Sequence, residues 1–125
     1  MCRPVKPDTI AKSLAIGNPA DGANDLAVAR RTGGAVAAVP DDEIVEAIGL
    51  LARTTGIFTE TAGGVTIATL AKLAREGRLD RDACTVAYVT GDGLKTPDAA
   101  LAHVEPITVE ADVDAVEHLL GFVAA

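Results

Sequence analysis

Past the middle of the chain an apolar, β-branched run from Cys84 to Val89 stops at Thr90 and gives way to Gly91-Asp92-Gly93-Leu94-Lys95. A nearly continuous apolar run of this length suits a strand covered on both faces, which a parallel sheet layered with helices provides. Two glycines bracketing an aspartate predict a tight, ligand-facing turn, with Gly91 and Gly93 able to take φ > 0 and to let a ligand approach the main chain. Ligands of open α/β sheets bind outside the carboxyl ends of the strands, so Thr90, with its single hydroxyl, is a candidate site residue. The same residues fit equally an ordinary strand-to-loop turn whose glycines serve conformation alone.

A chain of 125 residues suits one domain, a single α/β unit over residues 1–125. Apolar residues make up 49% and aromatic residues 2%, so its core is built from Ala, Val, Leu and Ile. The net charge of −7 and pI near 4.6 oppose association with nucleic acid or anionic lipid, and neither is an expected partner. Cys2 and Cys84 stand too far apart in sequence to suggest a disulfide framework or a metal site, and no metal is expected. No run approaches the roughly 20 apolar residues of a membrane span, and the N-terminus lacks the order of a signal peptide. A cytoplasmic protein is therefore expected.

Taken in order, Met1 to Pro7 reads as extended and Asp8 to Ile16 as a short segment broken by Gly17-Asn18-Pro19. A helix is predicted from Ala23 or Asn24 to Gly33-Gly34, with Asn24 or Asp25 as its cap. Ala35 to Val39 reads as a buried strand closed by Pro40. Asp41, Asp42 and Glu43 then open a helix with Ile44, Ala47, Ile48 and Leu51 on one stripe, ending near Gly56. Ile57 to Thr61 is a link, and Val65 to Arg75 a mostly buried helix stopped by Gly77. Thr96-Pro97-Asp98 begins a short helix through Ala102. Asp112 to Leu120 is an amphipathic helix with Val113, Val116 and Leu120 inward. The fold class is α/β, a three-layer partial parallel sheet in which residues 35–39 and 85–89 are neighbouring parallel strands joined by a helical crossover.

Three separated pieces join small residues to polar groups: Ile16-Gly17-Asn18-Pro19-Ala20, Thr59-Glu60-Thr61-Ala62-Gly63-Gly64 and Thr90-Gly91-Asp92-Gly93. With Thr9-Ile10-Ala11 before them and Gly56-Ile57-Phe58 between, their order resembles the C-terminal part of the threonine synthase family over roughly Pro4 to Thr96. These are pyridoxal-phosphate enzymes of fold type II, with a tryptophan-synthase β-subunit-like fold. Where many relatives carry a proline after the glutamate, this chain has Thr61.

The resemblance implies elimination of phosphate from O-phosphohomoserine and addition of water to give threonine. It implies that the Thr90 hydroxyl meets the cofactor's pyridine nitrogen and that Gly17, Asn18 and Pro19 line the site, the missing Cβ of Gly17 permitting close approach. Asn18 fits a plain turn residue as well. Glu60 is a candidate for orienting a hydroxyl or influencing the cofactor, or simply a favourable charge at a helix start. Gly63-Gly64 could receive a phosphate or allow close packing; Asp92 could form the turn, and Lys95 be a surface charge or reach substrate phosphate. His103 and His118 lack a paired base or nucleophile. The family's Schiff-base lysine and glycine-rich phosphate cup lie upstream of the matching region, and Lys6, Lys12, Lys72 and Lys95 occupy no corresponding context. No catalytic residue is therefore assigned. The chain alone is expected to be inactive and to need an N-terminal half carrying the lysine, with a homodimer suggested by relatives. A non-catalytic α/β binding or pairing module and a threonine dehydratase-like lyase fragment are the alternative readings.

Overall fold

The structure, a computed structural model, describes residues 3–101 and 103–121; Cys2 and Ala102, the expected end of a short helix, lie outside them. Helix α1 (Gly22–Thr32) ends after Arg30 and Arg31 on Gly33, whose φ of +69° needs glycine. Its N-cap is Asp21, not Asn24 or Asp25: Asn24 Nδ2 donates to Asp21 Oδ1 at 3.3 Å. Helix α2 (Asp41–Thr55) has its three acidic residues in the first turn and Gly56 at its end, as the sequence predicts. Helix α3 (Thr61–Arg75) begins four residues before Val65, so Gly63 and Gly64 lie inside its first turn. Packing explains the difference. A Cβ on Gly64 would stand 2.9 Å from Ile44 Cγ2 and Ile48 Cγ1 of α2, and one on Gly63 would meet the Thr59 side chain, so glycine lets the helices close there.

The core is this α2–α3 pair. Ala47, Leu51, Ile67 and Ala68 form one buried cluster, and Ile44, Ile48 and Ala11 a second. Arg75 Nη2 meets Glu43 Oε2 at 2.9 Å, joining the end of α3 to the start of α2. Both side chains are exposed enough that the ion pair contributes less than about 1 kcal/mol. The N-terminal segment is pinned to α2 by Asp41, whose carboxylate accepts from Thr9 Oγ1 at 2.6 Å and from the Ile10 N–H at 3.0 Å. That anchoring buries Ala11 to 2% exposure.

The expected strands are present as extended segments without a ladder. Among the described residues the one β contact is an isolated antiparallel bridge between Thr59 and Asp92. Val39, Ala87 and Val89 pack on the helix pair, while Val36, Val86 and Tyr88 are 73%, 70% and 78% exposed. Residues 86–89 thus alternate out and in as a strand does. They are covered on one side only, whereas a parallel strand needs neighbours at its edges and helices on both faces. Cys84, expected at the start of a buried strand, is exposed for the same reason.

Beyond the turn at Gly93–Lys95, a 3₁₀ turn spans Pro97–Ala100. Helix α4 (Val113–Leu120) is capped by Asp112, which accepts from the Ala115 N–H at 3.2 Å, and by Gly121. Val113, Val116 and Leu120, expected inward, are exposed: the amphipathic pattern makes the helix, but no surface of the described chain covers its apolar stripe.

Candidate functional site

Two of the three separated pieces come together. The Gly91 carbonyl accepts from the Glu60 N–H at 3.1 Å and from Thr59 Oγ1 at 3.0 Å, and the Gly93 N–H donates to the Phe58 carbonyl at 3.2 Å. Asp92 Oδ1 accepts from the Leu94 N–H at 2.8 Å, so this aspartate forms the turn. The Thr61 N–H, which opens α3 and has no partner inside the helix, donates to Thr96 Oγ1 at 3.2 Å. Residues 58–61 and 91–96 are consequently one construction, in which the start of a helix and the turn after Thr90 hold each other.

The glycines act here through space. Neither Gly91 nor Gly93 has positive φ. A Cβ on Gly91 would fall on the Glu60 carboxylate, and one on Gly93 on the Phe58 ring. Glu60 is 8% exposed and makes no side-chain cap to α3; its Oε1 lies 3.6 Å from Lys95 Nζ. Lys95 therefore balances a buried carboxylate packed against Gly91. Thr90 is exposed, one residue before the carbonyl that Thr59 and Glu60 grip, and among the described residues its hydroxyl has no hydrogen-bond partner.

The third piece is held elsewhere. The Gly17 carbonyl accepts from the Val5 N–H at 2.9 Å, and the place of its missing Cβ is taken by the Val5 carbonyl. The room at Gly17 thus serves the chain's own backbone. Asn18 and Pro19 are exposed, and among the described residues no hydrogen bond joins them to Glu60 or Thr90. His103 Nε2 is 2.9 Å from the Val45 carbonyl and its ring lies over Gly49, a packing role. Among the described residues no group of three His, Cys, Asp or Glu side chains could hold a metal. Sequence reasoning missed the anchoring role of Asp41 and the pairing of Thr59 with Gly91; each joins residues more than 30 positions apart, a proximity that local pattern does not carry.

Extended segments laid on a helix pair, with a glycine turn at the carboxyl end of one of them, belong to a known class: the chain is a member of the pyridoxal-phosphate dependent enzyme family, whose model matches residues 1–91. This is an α/β fold family, and its members use pyridoxal phosphate. Within it the chain is similar to threonine synthases. It is 48% identical over 115 residues to that of Methanocaldococcus jannaschii, covering 91% of this chain and 28% of the relative. It is 37% identical over 118 residues to that of Mycobacterium leprae, covering 94% and 33%, and 33% identical over 121 residues to that of Bacillus sp. strain ULM1, covering 94% and 34%. The chain spans about a third of the length of these relatives.

The residues present fit one edge of that cofactor. The exposed Thr90 hydroxyl suits a ring nitrogen, which offers one acceptor. They do not fit its phosphate or its covalent attachment: the space at Gly63 and Gly64 is filled by Thr59, Ile44 and Ile48. Lys12, Lys72 and Lys95 are engaged by the Thr9 carbonyl, the Ala38 carbonyl and Glu60.

Proposed function

We propose that this chain is the C-terminal portion of a threonine synthase, and that the complete enzyme converts O-phosphohomoserine and water to threonine and phosphate in the cytoplasm. One observation carries the reading. The accessible surface is 9545 Å², whereas a compact monomer of 12.7 kDa exposes about 6200 Å². Large apolar side chains are part of that surface, with Val36, Val86 and Tyr88 on the open face of the extended segments. A preceding polypeptide that supplies the remaining strands and a second helical layer would cover that face and complete a three-layer sheet with residues 35–39 and 85–89 parallel.

When bound, the cofactor supplies an electron sink for charge developing on the substrate. Thr90 donates its hydroxyl to the ring nitrogen, and a neutral donor, unlike a carboxylate, does not hold that nitrogen protonated. Glu60 is a positioning residue: by packing on Gly91 it fixes the turn on which Thr90 stands. Gly17, Asn18 and Pro19 form the rim on their own loop. The lysine and the phosphate cup belong to the preceding polypeptide, so the isolated chain forms no threonine. Joining this chain to such a polypeptide and assaying threonine from O-phosphohomoserine tests the reading, with the isolated chain as control. After borohydride reduction with pyridoxal phosphate, the isolated chain carries no stoichiometric pyridoxyl group on any one lysine; a specific adduct there overturns the assignment. A joined protein that binds cofactor without forming threonine favours a non-catalytic module.

A further inference from the structure

Beside the start of α3 lies an open cavity of about 450 Å³, with Ile10, Val45 and Pro97 among its apolar walls. None of Thr90, Gly17, Asn18, Pro19 or Glu60 lines it. Its charged lining residues are Lys12, Lys95 and Asp98, with the Glu60 carboxylate facing Lys95 from outside the lining, so two ammonium groups gather here in a chain whose net charge is −7. Lys12 Nζ donates to the Thr9 carbonyl at 3.0 Å and Lys95 Nζ lies 3.6 Å from Glu60 Oε1. Each ammonium has three donors and keeps some for a further acceptor.

Thr61, the first residue of α3, also lines the cavity. It is 1% exposed, and its Oγ1 is buried without a hydrogen-bond partner among the described residues. A buried hydroxyl without a partner is destabilising, and here it stands where the dipole of a 15-residue helix favours negative charge. A ligand oxygen arriving at this point satisfies the hydroxyl and meets the helix dipole together. Apolar walls and a cationic, hydroxyl-bearing end specify an amphiphilic anion.

We infer that this cavity binds a small organic anion with a short aliphatic body, its acidic head accepting from the Thr61 hydroxyl and from Lys12 and Lys95. The test uses the 125-residue chain as it is, with butyrate and n-butyl phosphate as probes and n-butylammonium as the control of opposite charge. Two-dimensional amide spectra recorded during titration read the site directly. Saturable shifts of Thr61, Ala62 and Gly63 with one or both anions, and none with the cation, are expected. Thr61→Val weakens the binding at least tenfold, while Thr61→Ser, which keeps the hydroxyl, restores it within about threefold. Lys12→Met changes one exposed side chain, whose ammonium bonds the Thr9 carbonyl, and also weakens binding at least tenfold, so the inference can fail even if Thr61→Val unfolds. Absence of saturable shifts with both anions, equal binding of the cation, or unchanged affinity in Lys12→Met overturns it. Because the readout is binding to this chain alone, its failure leaves the cofactor reading untouched, and the failure of threonine formation leaves this one untouched.

Discussion

At Gly91 a missing methyl group decides where Glu60 sits. Gly91→Ala drives a Cβ into the Glu60 carboxylate and, as overpacking does, lowers stability by about 1–3 kcal/mol, read as a shifted urea midpoint. Thr90 is its counterpart: exposed and without a partner among the described residues, it tolerates Thr90→Val in the isolated chain within about 0.5 kcal/mol. In the enzyme completed by a lysine-bearing polypeptide, the same change leaves a ring nitrogen unpaired and weakens cofactor binding or turnover by about 1–3 kcal/mol. Thr90→Asp holds the ring protonated, so side products of abortive protonation rise relative to threonine. Wild-type affinity and product ratios in both variants would reduce Thr90 to the end of a strand. Sequence singled out these residues and gave the glycines two uses, positive φ and close approach of a ligand; neither has positive φ, and the space beside them is taken by the chain's own side chains. Their real partners, Glu60 and Phe58, lie more than 30 positions away, and no local pattern reports a steric contact of that kind.

The helices were legible because their signals are local. The acidic first turn, the apolar stripe and the closing Gly56 of α2 all lie within one stretch of chain. The predicted start of α3 at Val65 falls four residues late because Gly63-Gly64 resembles a local break; of the two uses expected of those glycines, the folded chain shows close packing, against Ile44, Ile48 and Thr59. Gly64→Ala accordingly costs about 1–3 kcal/mol despite the better helix propensity of alanine, and a Gly64→Ala variant of unchanged or raised melting temperature would contradict this packing. In α4 the reverse holds. Val113→Ala, at an exposed position, changes the stability of the isolated chain by less than about 0.5 kcal/mol. Its apolar spacing was legible, but spacing identifies a stripe and not the surface that covers it.

For the molecule as a whole, what is buried is a helix pair with extended segments on one side, and the parallel sheet expected from the runs at 35–39 and 85–89 has no ladder. Strand character is written in those residues, while pairing depends on neighbours that local sequence does not supply. The slope of urea unfolding scales with the surface exposed, so the isolated chain should show a lower slope than a compact 125-residue domain, and the slope should rise when the lysine-bearing polypeptide is joined to it. The bond from Thr59 Oγ1 to the Gly91 carbonyl spans 32 positions, whereas α2 and α3 are consecutive helices with a short link. Closing so long a loop costs more chain entropy than zipping adjacent helices, which sets an order of events in time: the helix pair docks first, and the turn that bears Thr90 is fastened to it afterwards. During synthesis the pair can therefore assemble before the turn has left the ribosome, and pulse-labelled hydrogen exchange should find the amides of α3 protected earlier than those of Glu60 and Gly93.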